Sequence, residues 1–285
     1  MIRSRTRSDG VADVAKDTSP DAGLFNSQLR RAAVPGMGAV VILALWQSYV
    51  RIDAVPSYIL PAPTDVLGAL VRDWPILSVA LWNTLTITFG GLFAALAGGI
   101  LVSVLFVQSR FLELLFYPYA VVLQVTPIIA VAPLIIIYVP QTELVLLLCA
   151  FLVAFFPILS NTTQGLKSTD HNLLNLFELY GASRWQTLRH LRLPWALPYF
   201  TIGLRTGGGL ALIGAIVAEF TAGSAGSSAG LAFRLLEASR RLNTPRLFAA
   251  LILIGATGII IFALTSLVSH LLLRKWHESA MRREN

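Results

Sequence analysis

Apolar residues fill six long blocks of this chain, and the polar positions gather between them. A helix needs roughly 20 mostly apolar residues to cross a hydrocarbon core. By that measure the blocks predict six spans with soft ends, at about 34 to 50, 80 to 107, 114 to 138, 143 to 160, 196 to 219 and 247 to 273. The third carries Pro118, Pro127 and Pro133, which predicts kinks whose freed carbonyls face protein or a watery cavity. The expected fold is therefore an all-α integral membrane protein. Its membrane domain covers residues 34–275, between a polar, disordered cytoplasmic tail over 1–33 and a short one over 276–285.

Composition agrees with a membrane as the solvent. The 285 residues are 55% hydrophobic and 13% charged, with a mean hydropathy of +0.70. The formal charge of +7 comes from Lys and Arg set between apolar blocks, not from a basic stripe with interleaved aromatics, so nucleic acid is not an expected partner. Those cations fix direction instead. With both termini in the cytoplasm, Arg30, Arg31, Arg110, Lys167, Arg184, Arg189, Arg192, Arg274 and Lys275 fall inside, together with the tail cations; Arg51, Arg72, Arg234, Arg240, Arg241 and Arg246 fall outside. The run from Arg234 to Arg246 implies a partly helical outer loop packed on the bundle. A lone cysteine, Cys149, permits no intrachain disulfide.

The informative stretch is the polar-rich loop from 161 to 194, which reads as two short helices around a hinge. Ser168, Thr169 and Asp170 offer an N-cap. Leu173, Leu174, Leu176, Phe177 and Tyr180 recur at helical spacing, and Gly181 ends the helix. Ser183 with Gln186 three residues on forms a capping-box pattern. Trp185, Leu188 and Leu191 follow, and Pro194 stops the second helix. With Arg184, Arg189 and Arg192 beside apolar positions, this helix suits an anionic lipid surface or a groove on a cytosolic partner.

The offsets of Gly181, Leu191, Leu193 and Pro194 match E-A-A-x-x-x-G-x(9)-I-x-L-P, so the loop resembles the signature of permease subunits of binding-protein-dependent ABC importers. Asn175, Leu176 and Phe177 stand where E-A-A falls in that pattern, and Glu178 is the acidic residue one place on. The stretches Leu179 to Ser183 and Leu193 to Pro198, with Phe156-Pro157-Ile158, Gly203-Leu204-Arg205 and Ala218-Glu219, look like the branch that includes nitrate, sulfonate and taurine permeases. The resemblance covers about 60 to 275 and implies a type I importer permease fold in a bacterial inner membrane. It also implies a second permease copy, a cytosolic ATPase and an extracytoplasmic solute-binding protein. The ATPase contact would fall on Asn175, Leu176, Phe177, Glu178, Tyr180, Gly181, Ala182, Ser183, Leu191, Leu193 and Pro194, and Thr221 to Gly230 would lie at the outer gate. No G-x-x-x-x-G-K-[ST] occurs in this chain. ATP and Mg are accordingly expected on the partner, with no cofactor, metal or catalytic residue here.

Within the membrane, Gly203, Gly207, Ala211 and Ala215 recur every fourth position, a stripe that lets helices approach. Arg205 and Glu219 are costly at membrane depth, about 2.5 to 3.5 kcal/mol at the centre, so protein or water must face them. Arg205, Glu219, Gln124, Thr126 and Pro127 are the candidate lining of the solute path. The expected cargo is a sulfonate, taurine or nitrate, with pyrimidine-type vitamin precursors or riboflavin as the alternative. A secondary transporter would need inverted repeats and midplane acidic residues, and an intramembrane enzyme would need facing polar groups; neither pattern stands out.

Overall fold

The computed structural model describes the backbone of residues 20–222 and 228–280, and the side chains of residues 36–222 and 228–274. Part of each expected tail, and the middle of the Thr221 to Gly230 stretch, lie outside the described residues. The chain divides after Val55 into two compact units. The first contains α1, Pro20–Ile52. Helix thus begins inside the stretch expected to be a tail, and its apolar part, Gly36–Ile52, is shorter than a full span.

The second unit runs through α2 (Pro63–Arg72), α3 (Trp74–Gln108), α4 (Arg110–Val125), α5 (Ile128–Tyr138), α6 (Thr142–Lys167), α7 (His171–Leu179) and α8 (Arg184–Thr187). A π-helical turn at Leu188–Arg192 leads into α9 (Leu193–Ala222), followed by α10 (Leu231–Arg240) and α11 (Thr244–Ala280). Among the described residues, four helical runs are long and apolar enough to cross a membrane: α3, α6, the continuous Arg184–Ala222 and Thr244–Arg274. The third predicted span is a broken one, in which α4 and α5 meet at 105°. Of its three prolines only Pro127 makes the break. It forces Thr126 into an extended conformation, φ −73° and ψ 122°, whereas Pro118 and Pro133 stay inside helices.

Hydropathy and helix do not end together in α6. The apolar block stops near 160, but the helix continues through Asn161, Thr162, Thr163 and Gln164 to Lys167. Two of these polar residues face protein. Thr162 and Thr163 are buried, and the Thr163 hydroxyl donates to Ser103 Oγ of α3 at 3.1 Å.

The core lies where α6 packs between α3 and α9. Leu92 and Ala95 of α3 meet Ala154 and Ile158 of α6 and Ala211 of α9. Close approach depends on the small stripe: Gly203, Gly207, Ala211 and Ala215 are all buried. A Cβ on Gly203 would stand 3.0 Å from the Pro157 carbonyl oxygen, and one on Gly207 would stand 2.9 Å from Ile158 Cδ1. A second cluster gathers α2, the start of α3, α10 and α11 around Val66, Leu77, Leu231 and Ala250. It occupies one end of the unit. The loop of α7 and α8 occupies the other, against the far end of α3.

Candidate functional site

The bend between α7 and α8 is built almost wholly from local hydrogen bonds. Asp170 caps α7 by accepting from the Asn172 amide at 2.8 Å. At the other end Gly181 adopts φ +68°, a left-handed conformation that glycine reaches without a Cβ penalty. The Gly181 amide donates to the Glu178 carbonyl and the Ala182 amide to the Phe177 carbonyl, both at 2.9 Å. That pair is a Schellman closure. Two residues later the Ser183 amide donates to Gln186 Oε1 at 2.7 Å, while Ser183 Oγ accepts from the Gln186 amide. The capping box starts α8 immediately after α7 stops, so the turn angle is set by sequence-local chemistry.

The proline expected to stop this second helix does not stop it. The π-turn, with the Leu193 amide donating to the Leu188 carbonyl, shifts the hydrogen-bond register before Pro194, which then sits in the first turn of α9 where its missing N–H is tolerated. The bend is anchored to the bundle at one side. Leu188 is buried with Leu166 and Ala196, the Trp195 indole donates to the Ser168 carbonyl at 3.0 Å, and Lys167 pairs with Glu113 of α4. On its other side the apolar residues are open: Leu179 and Tyr180 are each 84% exposed, Trp185 63% and Leu176 45%.

Asn175, Glu178, Gly181 and Ser183 are likewise exposed, Phe177 and Ala182 are half-buried, and Leu191 is buried while Leu193 and Pro194 are half-buried. A cleft of about 680 Å³ opens beside the bend, lined by Arg110, Arg184 and Arg192 together with Glu178, Ala182 and Leu188. An open apolar knob next to a basic cleft is a surface whose chemistry suits a groove on another protein.

At the broken span Gln124, Thr126 and Pro127, all exposed, come together. With Ile128 and Val131 of α5, Val153 and Pro157 of α6 and Leu210 of α9, they line a pocket of about 360 Å³. Pro157 has no N–H to give the Val153 carbonyl, and Thr126 donates its hydroxyl to the Val122 carbonyl at 2.8 Å. Among the described residues no charged side chain lines this pocket. Arg205 and Glu219 are not brought into it. Arg205 is exposed on α9, whereas Glu219 is 1% exposed and accepts from the Thr84 hydroxyl at 2.7 Å and the Ala232 amide at 2.8 Å.

Two polar sites escaped the sequence reading. One is the set of partners around Glu219. The other is an ion pair between Asp73, at the start of α3, and Arg246 of α11 at 2.7 Å, whose hydrogen bond holds the Asp73 carboxyl below its ordinary pKa. Their members lie 135 and 173 residues apart, and no spacing rule links positions so distant.

Several helices long and apolar enough to cross a membrane mark a multi-pass membrane protein, and comparison with known proteins gives its family. Residues 87–282 match the family described as binding-protein-dependent transport system inner membrane component, and the chain belongs to it. The chain is 36% identical, over 88% of its length and 94% of the relative's, to the riboflavin transport system permease protein of Chloroflexus aurantiacus. It is 31% identical to the formylaminopyrimidine transport permease protein of Halalkalibacterium halodurans, over 85% of this chain and 96% of that one. A Bacillus subtilis protein named for aliphatic sulfonates transport is 30% identical, over 84% and 86% of the two chains. The chain is thus a permease subunit of an ABC importer and not itself an enzyme, and the family implies ATPase and binding-protein partners.

Proposed function

We propose that this chain forms, with a second copy of itself, the membrane path of an ATP-driven importer for a small, uncharged, planar heterocycle of the pyrimidine or flavin class. The observation that carries the substrate class is the pocket at the broken span: Gln124 and Thr126 offer hydrogen bonds among apolar walls, with no charged residue among those that line it. Such a lining suits a flat polar ring. Desolvating a sulfonate or nitrate there, without a cation to receive it, costs far more. The relatives named for riboflavin and formylaminopyrimidine support the same class.

ATP and Mg bind on the partner ATPase, which docks on the exposed bend. Both termini lie in the cytoplasm with that bend, and α10 lies on the outer side. The second copy is supported by the open face of α9, where Ile202 and Ile213 are 54% and 51% exposed and a Cβ on Gly209 would meet nothing within 4 Å.

The sulfonate, taurine or nitrate reading has its own support in Arg205, exposed on that same face, and in the Bacillus subtilis relative. Proteoliposomes holding the permease, its ATPase and its binding protein separate the two. Labelled riboflavin and formylaminopyrimidine should accumulate with ATP, and taurine should not; the reverse result contradicts the proposed cargo. Arg205→Gln and Arg205→Lys sharpen the outcome. A heterocycle path leaves uptake within about threefold of the parent in both, because no anion relies on that charge.

A further inference from the structure

Glu219 closes α9 where its neighbours would lead one to expect an apolar or small residue, and its surroundings are unusually specific for a carboxylate at membrane depth. It is 1% exposed. One oxygen accepts from Thr84 Oγ1 of α3 at 2.7 Å, and the other accepts from the Ala232 amide at 2.8 Å. The Thr84 oxygen in turn accepts from the Leu231 amide at 2.9 Å. Next to it, Asn83 Nδ2 donates to the Ala229 carbonyl at 3.2 Å.

Those amides belong to the first turn of α10, whose N–H groups have no partner within their own helix. Its N-cap, Gly230, offers no side chain to meet them, and a Cβ there would overlap the Glu219 carboxylate. The cap has been moved off α10 and onto α9. A negative charge also suits that terminus of the helix dipole.

We infer that Glu219, relayed by Thr84, is a positioning residue that clamps the start of α10 to α9 and α3, so that α10 travels with the spans during the transport cycle. The consequence follows from where the two ends of α9 lie. Its first turn leads out of the α8 bend, and Glu219 stands 26 positions beyond Leu193 in this 30-residue helix, or about 39 Å along at 1.5 Å per residue. A tilt imposed at the bend arrives at α10 through this clamp; without it, α9 tilts and α10 stays behind. This step rests on the importer reading, whereas the clamp itself rests only on the contacts above.

Amide hydrogen exchange followed by mass spectrometry, on the full chain in nanodiscs, reads the clamp directly. Peptides covering 229–233 should exchange at least about tenfold faster in Glu219→Ala and in Thr84→Val than in the parent, and Thr84→Ser should restore protection. Unchanged protection in both Glu219→Ala and Thr84→Val overturns the clamp. In the complex with ATPase and binding protein, Glu219→Ala should keep basal ATP hydrolysis within about twofold and lose at least tenfold of the solute-stimulated increment. Full stimulation despite lost protection overturns the coupling role. If the parent complex itself shows no stimulated hydrolysis, the importer reading fails, and the exchange result still decides the clamp. Gly230→Ala, which displaces the carboxylate and does not remove it, should raise exchange over the same peptide.

Discussion

The two ends of α9 solve the same problem, joining a long span to a short helix, in opposite ways. At the α8 end the join is local: Gly181, Ser183 and Gln186 set the turn through bonds between residues three to five apart, and Tyr180 and Trp185 are left open on the surface. At the α10 end the join is long-range and closed: Glu219, Thr84 and Leu231 satisfy one another in the interior. An element that must be recognised by another protein is shaped before that protein arrives and keeps its apolar side chains unburied. An element that must follow the bundle is tied to it from several helices.

The largest effect is expected at the open end. Tyr180→Ala and Trp185→Ala should each weaken binding of the ATPase about thirtyfold, the size of a loss of about 2 kcal/mol for a central aromatic anchor, while thermal stability of the isolated chain stays unchanged. Calorimetric titration checks this, and a stability loss with full affinity would erase the contrast between the ends. Next comes Gly181→Val. Forcing a branched residue into the left-handed region costs about 1 to 2 kcal/mol, so the bend re-aims, and solute-stimulated ATP hydrolysis should fall about tenfold with membrane insertion intact. Normal stimulation in reconstituted complexes contradicts it.

Effects at the closed end should appear in stability and not in ATPase affinity. Asp73→Asn removes the charge facing Arg246 and should lower stability by about 1.5 kcal/mol, the scale of a hydrogen bond to a charged group, as a drop in Tm. The smallest effect is its pH dependence. The native Asp73 carboxyl is held below its ordinary value by the Arg246 hydrogen bond, so its contribution is complete above about pH 3.9 and disappears as pH falls through the lower native value. Thermal melts between pH 6 and pH 3 should show this extra acid sensitivity in the parent and its loss in Asp73→Asn.

The same contrast explains what could be read from the chain. The bend was legible because capping and glycine closure are written in neighbouring letters: Asp170, Gly181, Ser183 and Gln186 act where they were expected. The small stripe of α9 was legible for the same reason, since Gly203 and Gly207 share one helix face. Pro194 misled because a proline reads as a stop, and the π-turn that absorbs it has no sequence signature. The extension of α6 beyond 160 was hidden because hydropathy scores Thr163 as polar without knowing that α3 supplies Ser103. Glu219 stood out as a costly charge, but its partners belong to other helices and only the fold brings them together.

In the proposed importer, energy enters from a separate protein through the exposed bend. ATP-driven accumulation of labelled riboflavin or formylaminopyrimidine in proteoliposomes tests this directly, comparing the permease with its binding protein and ATPase against the same preparation lacking the ATPase. Accumulation should occur with the ATPase and vanish both without it and with Trp185→Ala at limiting ATPase concentration. Solute gathered against its gradient by the permease without the ATPase would contradict the account.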